Sequence, residues 1–185
     1  MNRLILWAVL GLGVYLVLRP RSAGAFALQP NYSTGGFMSK RTSPAGVALL
    51  KQAEGLRLEP YKDQGGKLTI GYGHLIRPGE SFGKISQLQA EQLLISDLAV
   101  AEHAVNSLVR VSITQNQFDA LVSFVFNVGS GNFGSSTLLK ELNAGNYNDA
   151  ANQLTQWNKV TVGGVKVSSA GLSARRAAEK NLFLA

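Results

Sequence analysis

Three residues of this 185-residue chain have the types and the spacing for acid–base chemistry: Glu54, Asp63 and Thr69. They fall within EGLRLEPYKDQGGKLTIGY, residues 54–72, with glycine turns between them. Two carboxyl groups and a hydroxyl are what hydrolysis of a glycosidic bond requires. One carboxylic acid protonates the leaving oxygen, and a carboxylate directs water to the anomeric carbon. Glu54 is the candidate acid, Asp63 the candidate base or water-positioner, and Thr69 would hold the same water. Taken singly, each also has an ordinary role: a solvated helix-end charge, a turn residue beside Gly65-Gly66, and a strand residue.

Elements with recognisable boundaries would position these groups. Ser43-Pro44 starts a helix, with Ser as N-cap and Pro in the first turn. Val47, Leu49, Leu50 and Ala53 supply its apolar stripe, and Gly55 ends it. Glu54 therefore sits in the last turn, where the negative helix end favours a carboxylic acid over a carboxylate. Gly65-Gly66 is a turn, and residues 67–73 read as a strand. A short antiparallel sheet would then set Asp63, on one strand or its turn, beside Thr69 on another. Beyond it the chain reads as helical. Ser86–Gln89 and Thr114–Gln117 are capping boxes. The first precedes Leu93, Leu94, Leu98, Ala101, Val105 and Leu108 at helical spacing. The second precedes Phe118, Leu121, Val122 and Val125, a helix apolar on nearly all sides and expected to be central. Shorter helices are expected at about 136–143, 147–157 and 173–183, with VTVGGVKV as a hairpin or extended loop between the last two. The expected fold class is α+β: a small sheet lobe, a larger helical lobe and a cleft between. Residues 129–134 fit G-x-G-x-x-G but follow a helix, so they read as the loop ending the central helix and not as a dinucleotide site.

The Glu54–Asp63–Thr69 segment, with Tyr61, Gly71, Gly73 and His74 around it, resembles the catalytic segment of the phage-type lysozymes, or endolysins. SFVFNVG (residues 123–129) resembles that family's buried helix end, and GLSARRAAEKNLF (residues 171–183) its final helix. The resemblance covers about residues 44–185 and implies a lysozyme-like fold. It implies cleavage of the β-1,4 bond between N-acetylmuramic acid and N-acetylglucosamine in peptidoglycan, for host wall degradation during lysis or genome delivery. Inversion is the implied outcome, with the two carboxyl groups roughly 6.5–9.5 Å apart. No cofactor is needed. The resemblance further implies an ion pair between Glu54 and an arginine of the last helix, here Arg175. Such a partner favours the carboxylate and opposes the helix end. Gly71, Tyr72, His74, Asn127 and Arg175 are the candidate substrate-binding or supporting residues. His74 reads first as structural and paired with an acid, and Asn127 as either a helix C-cap or a contact to a sugar amide. Phe124, Phe126 and Trp157 read as core. Two alternatives stand beside hydrolysis. A lytic transglycosylase would need the acid but not Asp63 or Thr69. A virion or envelope protein could use the fold only to bind glycan.

The chain has no cysteine, so neither a disulfide nor a thiol contributes. Two histidines and no close acidic cluster argue against a metal site. A net charge of +7 and a pI of 9.9 suit an anionic partner. A wall or envelope polymer is expected over nucleic acid, since no dense Lys/Arg run or aromatic-basic strip occurs. Residues 4–18 carry no charge and are flanked by Arg3, Arg19 and Arg21. As a helix this run would span about 22 Å, short of the roughly 30 Å hydrocarbon layer. An uncleaved membrane anchor is favoured over a cleaved signal ending near residues 23–25, and both over a buried helix. Residues 26–43 read as a flexible linker. The expected organisation is thus 1–25 anchor or signal, 26–43 linker and 44–185 catalytic domain. We expect a monomer that contacts the membrane through residues 4–18. It would act in the bacterial periplasm, on the periplasmic face of the inner membrane, or from a virion.

Overall fold

The computed structural model describes residues 39–63 and 66–185. The apolar run 4–18 and most of the 26–43 segment lie outside the described residues. Among the described residues no helix is long and apolar enough to cross a membrane.

Helix α1 (Pro44–Glu54) starts on Ser43, whose hydroxyl accepts from the Gly46 N–H, and ends at Gly55, whose N–H bonds the Lys51 carbonyl. Its buried face is narrower than the apolar stripe predicts. Leu50 and Gly46 are buried and Val47 and Leu49 half-buried, while Ala53 is exposed in the cleft wall. Residues 40–43, expected in the linker, are tied down instead. The Thr42 N–H and hydroxyl both donate to Glu102 Oε1 at 2.8 Å, and Arg41 Nη1 donates to Glu102 Oε2 at 3.0 Å. The Ser43 N–H donates to Asp119 Oδ1 at 3.0 Å. The start of α1 is thereby fixed to the two helices that carry Glu102 and Asp119.

The sheet is antiparallel in the order β1 (Arg57–Lys62), β2 (Leu68–Gly71), β3 (His74–Leu75), with a bulge in the β1–β2 pairing. The expected single strand over 67–73 is broken by a turn at Tyr72-Gly73, because β2 must reverse to pair with β3. Helix α2 (Gln87–Leu108) and helix α3 (Gln115–Val128) begin with the two capping boxes foreseen. Helix α3 is central: every residue from Phe118 to Val125 is buried, and it packs on α1, α2 and the last helix. Fully burying side chains of this size stabilises the fold by about 1.5–3 kcal/mol each.

Short helices α4 (Ser130–Gly134), α5 (Thr137–Asn143) and α6 (Tyr147–Leu154) follow. The G-x-G-x-x-G stretch, expected as a loop, thus forms a short helix, and α6 stops before the expected residue 157. Strands β4 (Lys159–Val162) and β5 (Val165–Ser168) form a hairpin around Gly163-Gly164, the turn chemistry a two-residue loop demands. Helix α7 (Ala170–Leu184) begins three residues before the expected start, because Ser169 caps it through the Leu172 N–H.

Candidate active site

A cleft of about 990 Å³ lies between α1, β1, the end of α3 and the first turns of α7. Glu54 and Asp63 both line it. Glu54 arrives as the last residue of α1, at the negative end of that helix. Its side chain is 20% exposed. Arg175, on α7, donates from Nη1 to Glu54 Oε1 at 2.6 Å. Arg175 is itself held by two further bonds, Nε to Glu179 Oε1 and Nη2 to the Ser123 carbonyl, both 3.1 Å. One carboxyl oxygen of Glu54 is fixed by this fork. The other lies near Gly73.

Gly73 has φ +88°, and a Cβ there would sit 3.5 Å from Glu54 Oε2. That φ is costly for a residue with a side chain, and the added methyl would fill space beside the carboxyl. Gly73→Ala is therefore expected to lower the rate of wall degradation by roughly 10–100-fold, a misplacement effect. Initial rates of clearing of a peptidoglycan suspension, compared at equal folded protein, check this.

Asp63 follows the end of β1. Its N–H donates to the Lys67 carbonyl at 2.9 Å, and its Oδ1 accepts from the Lys67 N–H at 2.8 Å. Those bonds close the β1–β2 turn and hold the carboxylate at the cleft wall. Thr69 pairs across the sheet with Tyr61 rather than Asp63, which places it diagonal to Asp63 on the same face. Thr69 is buried and its hydroxyl donates to the Lys67 carbonyl at 3.1 Å. While it donates there, the hydroxyl oxygen keeps lone pairs that can accept from a water.

The remaining candidates divide. Asn127 lines the cleft, but it is not the C-cap of α3, which is Gly129; its Oδ1 accepts from Arg176 Nη2 at 2.8 Å. Gly71 faces α2, where a Cβ would meet that of Ala90 at 3.3 Å, so its place in the structure is close packing. Tyr72 belongs to the core, with Lys51 Nζ 5.6 Å from its ring centre. His74 is buried outside the cleft. Its Nδ1 lies 2.7 Å from Asp97 Oδ2 and its Nε2 3.1 Å from Glu80 Oε2, a pairing that ties β3 to α2. Among the described residues no group of His, Asp and Glu side chains could hold a metal ion.

Sequence reading missed the ionic cluster behind Glu54. Glu179 and Arg176 are both fully buried. Arg176 Nε lies 3.1 Å from Glu179 Oε2, and its guanidinium stacks 4.9 Å from the Phe124 ring centre. The signal was RRAAE, three charges at i, i+1 and i+4 on a helix bordering the core. Burial pushes the Glu179 carboxyl above the ordinary carboxylate range, against the pulls of Arg176, the Ser123 hydroxyl and Arg175. Burial also lowers the Arg176 guanidinium, with Glu179 opposing it. The sign for stability follows. Folded Glu179 holds its proton more tightly than the unfolded chain does, so its contribution is fully present below the ordinary range. It is lost as pH rises through the folded value. The melting-temperature difference between the native protein and Glu179→Gln is expected to fall across that window; a pH-independent difference would contradict it.

Two carboxyl groups lining one cleft, one of them held by an arginine, are an arrangement that glycoside hydrolysis can use. The family model described as phage lysozyme matches residues 51–179. The chain is 43% identical over 143 residues to an endolysin of Acyrthosiphon pisum secondary endosymbiont phage 1, covering 76% of this chain and 96% of the relative. It is 40% identical over 134 residues to the SAR-endolysin of bacteriophage PS119, covering 71% and 76%. It spans about half, 53%, of the longer endolysin of Bacillus phage B103. Among solved structures it is similar to the muramidase domain of SpmX from Asticaccaulis excentricus. The TM-score there is 0.73 and the identity 42%, over 78% of this chain and 98% of that one. The chain belongs to the phage lysozyme family and is a peptidoglycan-degrading glycoside hydrolase.

Proposed function

We propose that this enzyme cleaves the β-1,4 bond between N-acetylmuramic acid and N-acetylglucosamine, with inversion at the anomeric carbon. Glu54 protonates the leaving oxygen. Asp63 takes a proton from the water that attacks the opposite face, and the Thr69 hydroxyl oxygen steadies that water by accepting from it. The observation that supports this best is Glu54 pinned by Arg175 at 2.6 Å on one wall of a cleft that Asp63 also lines. Water then need only enter between the two carboxyl groups.

The setting is proposed on separate grounds. The apolar run 4–18 exports the enzyme and holds it at the membrane, with the catalytic domain toward the periplasm, as the similarity to a SAR-endolysin supports. The net charge of +7 then draws the domain toward the anionic wall. Host lysis is the favoured role, in keeping with the endolysins it resembles.

Mass spectrometry of fragments released from purified peptidoglycan tests the reaction. Reducing muropeptides ending in N-acetylmuramic acid are expected. Fragments with a 1,6-anhydro ring would replace hydrolysis with transglycosylation, and fragments ending in reducing N-acetylglucosamine would reassign the bond.

A further inference from the structure

Glu179 is a buried acid that the hydrolytic steps do not touch. Its Oε1 accepts from Arg175 Nε at 3.1 Å and from the Ser123 hydroxyl at 2.7 Å. Its Oε2 faces Arg176 Nε at 3.1 Å. Arg175 is therefore shared between Glu54 and Glu179, one nitrogen to each. Two guanidiniums and two carboxylates make one cluster, which is neutral when all four are ionised.

The charged groups around this cluster come from three elements. Helix α7 supplies Arg175, Arg176 and Glu179, and α1 supplies Glu54. Across the cleft, Arg57, Lys62 and Asp63 belong to β1 and its turn. Helix α3 contributes the Ser123 hydroxyl and Asn127 but no charge.

We propose that Glu179, held ionised in its buried site by Arg175, Arg176 and the Ser123 hydroxyl, is a positioning residue whose negative charge balances the two guanidiniums so that Glu54 can hold the proton it delivers. The proposal rests on the reading of Glu54 as the general acid. A general acid must be protonated before each turnover, and a guanidinium at 2.6 Å favours the ionised form. Glu179 draws on the same guanidinium from the other side. It also offsets Arg176, which pairs with it at 3.1 Å and donates to Asn127. With Glu179 neutralised, both cations act on Glu54 alone. Its Nε bond also fixes the tilt of Arg175, and with it the angle at which Glu54 meets the cleft.

The test is the pH profile of hydrolysis on soluble, uncrosslinked glycan strands, for the native chain, Glu179→Gln, Ser123→Ala and Glu54→Gln. The alkaline limb reports loss of the proton from the acid. Glu179→Gln is expected to move that limb to lower pH, the direction in which a close unbalanced cation moves a carboxyl group. Ser123→Ala removes one donor that keeps Glu179 ionised, so it should move the limb the same way by less. A folded Glu179→Gln enzyme with its alkaline limb in the native position would overturn the proposal. If that variant does not fold, Ser123→Ala decides, and an unmoved limb there overturns it equally. Glu54→Gln separates the two levels. An active Glu54→Gln enzyme removes the general-acid reading, whereas an inactive one beside an unmoved Glu179→Gln limb removes only the role of Glu179.

Discussion

Glu54→Gln is expected to abolish wall degradation, by at least about 10³-fold, within the range a positioned general acid contributes. The amide keeps the geometry: its oxygen still accepts from Arg175 Nη1 where Glu54 Oε1 does now, at 2.6 Å. It has no ionisable proton to give the leaving oxygen. Loss of activity should therefore come with a retained fold, because Glu54 lies at the cleft surface rather than in the core. Paired measurements of clearing rate and melting temperature check both halves. A variant that melts normally and still clears peptidoglycan at more than a tenth of the native rate would remove Glu54 from the mechanism.

Arg176→Met is expected to be the most damaging single change to stability. Arg176 and Glu179 are both fully buried, and Arg176 also stacks on Phe124 and donates to Asn127. Removing Arg176 leaves Glu179 with a single cation, Arg175, that it shares with Glu54, and breaking a buried ion pair costs about 3–5 kcal/mol. For a domain of this size that lowers the melting temperature by about 10 °C. Combining Arg176→Met with Glu179→Gln should cost less than Arg176→Met alone, since no buried acid with half of its cations missing remains. Thermal unfolding of the three proteins decides it. A loss under about 1 kcal/mol for the single variant would mean that water already reaches the cluster.

The parts of the fold legible in the sequence are those fixed by local chemistry. Ser43-Pro44 and Gly55 bound α1 and so place Glu54 in its last turn. The Ser86–Gln89 and Thr114–Gln117 boxes start α2 and α3, and Gly163-Gly164 turns the hairpin. What was not legible depends on distant partners. Strand β3 is two residues long and exists because His74 and Leu75 pair with β2, so no alternation could reveal it. Residues 40–43 look like linker by composition; Glu102 and Asp119, about 60–76 positions away, make them part of the domain. No motif singles out Glu179 on the final helix. It becomes a buried partner only because Ser123, on a helix apolar enough to be central, faces it with a hydroxyl. Thr69 shows the reverse case. Its spacing from Asp63 was visible, but the Lys67 carbonyl that now takes its hydroxyl was not.

The central claim is that Glu54 gives the proton while Asp63 delivers water to the opposite face. Proton NMR of the product in the first minutes of reaction, before mutarotation, tests it most directly. The account predicts that the new N-acetylmuramic acid end appears first as the α-anomer. A β-anomer formed first would show retention and would contradict the role given to Asp63.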